Sequence, residues 1–306
     1  MFSFILRRIL ISIPVALGVS TLCFMLIHFV PGDPVDIILG ESANVIEKSA
    51  LRSELGLDQP MLTQYGNFIS GLLQGDLGRS IQSRRPVFEE IAERIPATLE
   101  LTLGAMCLAV LIGIPLGIFA ALKQYSGTDN VVMVFGLLGM SMPGFWLGPM
   151  LILIFSIQLD WFPVSERGGL EHLVLPAFSL AIALSAIIMR MTRTSMLEVI
   201  KEDYIRTAKS KGLAGGKIYF KHALRNALMP IITIIGLQFG ALLTGTVITE
   251  TIFDWPGIGT LFFSAIQERN YPLVQACILT VSLTYVAVNL LVDIAYAAVN
   301  PQVRLK

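Results

Sequence analysis

Six apolar runs punctuate the chain, at residues 9–30, 101–122, 131–159, 173–189, 227–249 and 272–292. A helix of about 20 apolar residues crosses a bilayer, so each run predicts one span. The third is over-long and is interrupted by Pro143-Gly144 and Pro149. Proline removes a ladder hydrogen bond, which predicts a kinked or tilted third span. Between the fourth and fifth runs, residues 196–230 follow another pattern. Tyr204, Ile205 and Ala208 alternate with charges at helical spacing. The pattern breaks at Gly212 and at Gly215-Gly216, then resumes from Lys217 to Leu228. That predicts helix, tight turn, helix, lying against a membrane.

Between the first two runs lies a long polar segment that the pattern predicts to be partly folded. Residues 44–55 form a short amphipathic helix closed by Gly56, and residues 61–73 place Tyr65, Phe68, Ile69, Leu72 and Leu73 on one face. Ten acids from Asp33 to Glu93 fall here. They suit either a solvated cap over the outer mouth or a docking surface for an external partner.

Composition agrees with the spans. Of 306 residues, 54% are hydrophobic and 14% charged, against about 45–50% and about 25% in soluble domains. The formal net charge is zero, which removes any global case for nucleic-acid binding. Charge is instead sorted along the chain. With the N-terminus inside, fourteen Lys and Arg fall on the inner side, nine of them from Arg190 to Arg225, and eight fall outside, six of those in the long loop. Both termini inside satisfies the positive-inside rule. Arg190 and Arg193, at the end of the fourth run, are expected to snorkel to the inner surface. The first run follows Arg7 and Arg8, is long for a signal peptide and has no A-x-A site after it, so an uncleaved span is expected.

Catalytic and metal-binding patterns are missing. His28, His172 and His222 lie in different segments, there is no H-E-x-x-H, and no G-x-S-x-G occurs. Cys23, Cys107 and Cys277 all fall in apolar runs and are expected to be buried small hydrophobes. Gly215-Gly216-Lys217 is not a phosphate loop, because Ile218 stands where Ser or Thr must hold magnesium. The chain is therefore expected to bind no metal, ATP or other cofactor itself. Within the spans, polar or small candidates for a translocation path are Ser141, Ser156, Thr244, Glu250, Asn289 and Asp293, with the stretch Ser141, Met142, Pro143, Gly144, Phe145 and Trp146. Glu250 and Asp293 lie near span ends, where interfacial anchoring serves equally well.

The basic stretch resembles the cytoplasmic "EAA" loop of ABC importer permeases. The frame is Arg206-Thr207-Ala208, then Gly212, then His222-Ala223-Leu224-Arg225. The wording is that of the peptide/nickel branch, R-T-A-x-x-K-G and H-x-L-R-N-A-x-x-P, matched by Arg206, Thr207, Ala208, Lys211, Gly212, His222, Leu224, Arg225, Asn226, Ala227 and Pro230. A second string, E-x-x-F-x-W-P-G-I-G, is matched by Glu250, Phe253, Trp255, Pro256, Gly257, Ile258 and Gly259. The strings PGDP (31–34), LGLDQP (55–60) and GDLGRS (75–80), the F-I-L-R-R start and Asn300-Pro301 extend the likeness over the whole chain.

The resemblance implies an all-α integral membrane protein of six transmembrane helices with type I ABC importer permease architecture. Residues 1–30 would be the first span, 31–98 a periplasmic loop region, and 99–300 a five-helix core with a coupling loop at 196–226. It implies a permease subunit of the inner membrane that translocates di-, tri- or oligopeptides, glutathione included. A nickel-complex importer is the alternative, and an ion-coupled secondary transporter a remoter one for want of mid-span carboxylates. The implied partners are a second similar permease chain, two ATP-binding subunits carrying ATP and magnesium, and a periplasmic or lipid-anchored binding protein. Residues 201–211 would be the coupling helix, with Arg206, Thr207, Ala208, Lys211, Gly212, His222, Leu224 and Arg225 meeting the ATPase. Trp255, Pro256, Gly257 and Gly259 would shape an outer gate loop, for which a plain hairpin with an interfacial Trp is the other reading.

Overall fold

The computed structural model describes residues 2–29, 35, 39, 44–54 and 56–299. The PGDP string, Asn300-Pro301 and the side chain of Thr244 lie outside the described residues. Twelve α-helices are named here: α1 (Phe2–Phe29), α2 (Val45–Glu54), α3 (Met61–Leu73), α4 (Val87–Leu122), α5 (Gly127–Ser141), α6 (Gly144–Leu151), α7 (Leu170–Ile200), α8 (Asp203–Ser210), α9 (Leu224–Gly245), α10 (Val247–Ile252), α11 (Ile258–Gln267) and α12 (Tyr271–Val299). Wider π-helical turns extend α6 over Ile152–Gln158 and precede α9 over Lys217–Ala223.

Five helical segments are long and apolar enough to cross a membrane, and the bent pair α5 and α6 makes six. The chain thus alternates between two ends. One, the basic end, carries the start of α1, the α4–α5 turn and the α7–α9 connection. The other carries α2, α3, α10 and α11. The third span is more than kinked: its halves meet at 102°. Pro143 is extended (ψ 133°) and ends the α5 ladder, as the residue's missing N–H and fixed φ require.

The centre of the bundle is the parallel pair α4 and α7. Along α4, residues 97, 101, 105, 109, 113, 117 and 121 recur every fourth position, and all but Leu101 are Ala or Gly. All seven are buried. Such a stripe lets two backbones approach closely, and dispersion then holds them together where lipid offers no hydrophobic gain. A Cβ on Gly113 would stand 2.7 Å from the Ser185 carbonyl oxygen, and one on Gly117 2.6 Å from that of Met189. Ile188, Met196 and Thr192 fill the facing positions of α7 with no exposure. On the far side α9 and α12 pack in the same way, antiparallel, with Gly236 against Val292 and Gly240 against Tyr285.

The polar segment between the first two spans is helical where the pattern predicts it. Gly56, at φ +66°, ends α2, with Leu57 N–H reaching back to the Arg52 carbonyl. The α3 face of Tyr65 and Phe68 packs on Phe24 of α1, and the Tyr65 hydroxyl bonds Thr21 at 2.8 Å. Of the cysteines, Cys23 and Cys277 are buried, but Cys107 is exposed on the outer face of α4, opposite its small-residue stripe.

The stripe yields a paired test. Gly117→Ala should cost about 1–3 kcal/mol through overpacking against backbone. Gly18→Ala, where a Cβ meets nothing within 4 Å, should be neutral or slightly stabilising because alanine is the better helix former. The melting temperatures of the detergent-solubilised variants give the comparison, and equal shifts would show that the α4–α7 contact does not limit stability.

Candidate functional site

At the basic end, α8 is an eight-residue helix lying between α7 and α9. Its inward face is Ile205, fully buried, and Ala208, half-buried against the core. Its outward face presents Arg206 and Thr207, and Lys211 is exposed just past the last turn. The helix stops at Gly212, whose φ of +72° is open to glycine at little cost. Nothing lies within 4 Å of a Cβ built there, so the position calls for glycine by conformation and not by space. The Gly212 N–H bonds the Lys209 carbonyl, and the Leu213 N–H bonds that of Ala208. These are the two bonds of a Schellman close.

Two contacts fasten α8 to the segment that follows. The Asn226 amide donates to the Tyr204 hydroxyl at 2.7 Å, and the Lys209 ammonium lies 5.9 Å from the centre of the Tyr219 ring. His222 and Leu224 are half-buried, and Arg225 is exposed. The helix differs from the expected 201–211 only by its frayed ends: Lys201 and Glu202 form the turn out of α7. Arg193 does not snorkel. Its guanidinium holds both oxygens of Asp129 at 2.7 Å. Asp129 is almost wholly buried, and also accepts the Tyr125 N–H. A bidentate Arg–carboxylate pair in such a setting fixes both helices geometrically. It ties the α5 start to the last turns of α7. Arg190 points to the Met140 sulfur instead.

At the opposite end the loop between α10 and α11 is built around one carboxylate. Glu250 is fully buried. Its Oε1 accepts the Thr98 hydroxyl at 2.8 Å, and its Oε2 accepts the Gly259 N–H at 2.7 Å and the Thr260 N–H at 3.2 Å. The Thr98 oxygen in turn accepts the Ile258 N–H. Those amides belong to the first turn of α11, which has no intrahelical acceptors for them, so Glu250 caps α11 from another helix. Burial holds the Glu250 carboxyl above its ordinary pKa, and the Thr98 and Thr246 hydroxyls and the Thr260 and Gly259 amides offset only part of that rise. The glycines follow from this. A Cβ on Gly257 would collide with the Glu250 carboxyl, and one on Gly259 would come within 2.6 Å of the Val247 Cα. Trp255 has no exposure, and its indole N–H donates to the Ala97 carbonyl at 2.8 Å. The interfacial-Trp hairpin is therefore not what forms: the ring is a buried peg between α4 and α11. For the same reason Glu250 is no interfacial anchor.

The remaining path candidates are dispersed. Ser141, Pro143, Phe145 and Trp146 are exposed at the break between α5 and α6. Ser156 is buried and bonds the Pro163 carbonyl. Asn289 is half-buried on α12, and Asp293 pairs with Arg8 at 2.7 Å. The structure brings together Glu250, Trp255, Gly257 and Gly259 as one unit, and Arg206 through Gly212 as another. Of the partners that complete the polar contacts at the two ends, Thr98 is one hydroxyl in a helical run and carries no signal in the sequence, whereas Asp129 stands three residues after Ser126, a spacing that marks a helix start but does not reveal Arg193. No group of three or more His, Cys, Asp or Glu suited to a metal stands together among the described residues.

Comparison with known proteins agrees with this architecture. Residues 113–305 match the family described as binding-protein-dependent transport system inner membrane component, and residues 1–102 its N-terminal companion. The chain is 45% identical to the dipeptide transport system permease protein DppB of Escherichia coli (strain K12), with both chains fully covered. It is 43% identical to the glutathione transport system permease protein GsiC of Salmonella choleraesuis (strain SC-B67), again over the whole of both. In fold it is similar to a chain of the inward-facing MetNI methionine ABC transporter, at a TM-score of 0.60 and 16% identity, covering 69% of this chain and 96% of that one. An amino acid ABC transporter crystallised with histidines gives a TM-score of 0.52 at 18% identity, covering 69% and 94%.

The Glu250 unit predicts its own failure. Glu250→Ala leaves the Thr98 hydroxyl and two amides buried without an acceptor, at about 1–3 kcal/mol for each orphaned group. A melting temperature lowered by several degrees, with faster proteolysis after Trp255, is the expected result. Glu250→Gln should recover only part, because its amide nitrogen meets a donor where an acceptor is needed.

Proposed function

The chain belongs to the family of binding-protein-dependent transport system inner membrane components, and on that premise we propose that it is the permease subunit of an ATP-driven importer of short peptides. The observation that carries the mechanism is α8: a short helix with a buried anchor and an exposed basic face, closed sharply at Gly212. Its partners would be a second permease chain, two ATP-binding subunits that hold ATP and magnesium, and an external binding protein. The basic end is cytoplasmic, since Lys and Arg concentrate there, and both termini lie on that side of the inner membrane.

The permease has no phosphate loop of its own, so force must arrive from outside the chain. Arg206, Thr207 and Lys211 offer the ATPase a contact of cations around a small residue. Ile205 and Ala208 transmit the push inward, because a helix keyed into a close-packed core cannot slide without moving it. Asn226 and Tyr204 carry the same displacement to α9. The cargo is a short peptide, as the names of the 43–45% identical relatives suggest.

Two substitutions separate coupling from assembly. Gly212→Val forces a β-branched residue into the left-handed region, at a cost of about 1–2 kcal/mol, and frays the last turn of α8. Ala208→Glu sets a carboxylate against the core. In proteoliposomes holding the complete importer, both should leave the ATPase subunits bound and ATP hydrolysis measurable while peptide uptake falls at least about tenfold, a loss of about 1.4 kcal/mol in transition-state terms. Normal uptake by either variant would remove α8 from the coupling role.

A further inference from the structure

Beside the Glu250 loop, at the end away from α8, a polar cavity of about 850 Å³ opens between elements distant in sequence. Glu90 and Arg94 reach it from the first turns of α4, Glu166 and Arg167 from the connection before α7, Asp254 from the loop, and Glu268 from the end of α11. Its size falls within the roughly 300–1,000 Å³ of small-ligand sites. Four carboxylates and two guanidiniums thus share one concavity, and little of that charge is spent internally. Arg167 is bound at 2.7 Å to Glu100, which is not a lining residue, and Glu90 accepts a hydrogen bond from Ser83. The side chains of Arg94, Glu166, Asp254 and Glu268 make no hydrogen bond or ion pair among the described residues.

Two of these residues are held in place against conformational preference. Glu166 has φ +75° and Asp254 φ +48°, a region that L-residues with a Cβ enter at about 1–2 kcal/mol. The surroundings impose it. The Glu166 N–H bonds the Phe253 carbonyl at 3.0 Å, and Asp254 is clamped between Phe253 and Trp255, both buried. The strained pair presents its carboxylates at the cavity wall.

We propose that this cavity is a reception site for a short zwitterionic peptide, which sets its α-carboxylate on Arg94 and its α-ammonium between Asp254 and Glu166. The assignment rests on the peptide-importer reading above. A planar guanidinium takes a carboxylate with two hydrogen bonds, and the acidic excess around it suits an ammonium. A bare metal cation is disfavoured by the two arginines in the same wall. A docked protein domain would seek an apolar centre, whereas Pro256, Leu261 and Leu273 are scattered between charges. Solvated ion pairs of this kind are worth roughly 0–1 kcal/mol each, so the peptide is held weakly, as a substrate in transit must be.

The test uses the complete importer in proteoliposomes with saturating binding protein and labelled Ala-Ala. Arg94→Gln, and separately Glu166→Gln with Asp254→Asn, should each lower the initial uptake rate about three- to fivefold, while Arg94→Lys, which keeps the charge but not the two-pronged geometry, should recover only part of the loss. The affinity of the binding protein for each assembled variant is measured in parallel and should stay within about twofold, the size of a lost rim contact. Unchanged uptake in both variants overturns the assignment. A loss fully explained by weaker docking also overturns it and makes the cavity a protein contact. Failure of the unmodified importer to take up any peptide brings down the peptide reading and the cavity assignment together, whereas robust wild-type uptake with unaffected variants brings down the cavity alone.

Discussion

The constraint on which the far end of this bundle depends is the need to find acceptors for the first amides of α11. That helix begins inside the protein, where water cannot serve its unpaired N–H groups. Glu250 supplies the acceptor from α10, and Thr98 supplies a second from α4. Three helices are joined by these few bonds. The neighbours are shaped to admit the carboxyl: Gly257 and Gly259 lack the atoms that would displace it, and Trp255 donates its backbone N–H to the Glu250 carbonyl and its indole N–H to Ala97. A buried carboxylate is stable only when such donors surround it.

From that unit a continuous packed path runs to the basic end. Thr98 and Ala97 lie on α4, whose small-residue stripe meets α7 without a gap. With 31 residues, α7 spans about 46 Å, and its last turns hold Asp129 through Arg193. One short turn later Ile205 keys α8 into the same core. The α4–α7 pair is therefore the rigid body of the chain, with a polar clasp near each end. The broken third span is attached to it at both: α5 through Asp129, and α6 through its packing with Phe253 and Leu175.

Much of this was legible in the sequence, for definite reasons. Span positions follow from apolar run length, which depends on bilayer thickness and not on tertiary detail. The turn at Gly212 and the cap at Gly56 were legible because left-handed backbone selects glycine locally. The ends of α3 were given by its own apolar periodicity. What was hidden depends on partners distant in the chain. Glu250 read as a span-end residue because nothing nearby reveals the α11 amides or Thr98, which is 152 positions away. Trp255 looked interfacial because a tryptophan beside Pro-Gly fits a membrane boundary as well as a buried peg. Arg193 looked like a snorkelling cation because Asp129 lies 64 residues earlier. Cys107 looked buried because an apolar run does not say which face meets the core, although the four-residue spacing of Ala and Gly along α4 carried that information.

The same reasoning explains why the two motif strings of this chain differ in kind. The basic string ending in Gly212 is mostly exposed; apart from the buried Ile205, the half-buried Ala208, the Tyr204 and Lys209 contacts to the next segment and the cap, its side chains face outward. A surface so little constrained by its own fold is available to a partner. The Glu-to-Gly string from 250 to 259 is the reverse, since Glu250, Phe253, Trp255 and the glycines are consumed in holding one another. Thr251 and Asp254 are the exposed residues of that string, and Asp254 is set in a backbone conformation that its neighbours enforce. The Thr251 hydroxyl bonds the Val247 carbonyl within its own helix, so the one polar side chain of the string left unpartnered among the described residues, Asp254, lies in the cavity wall.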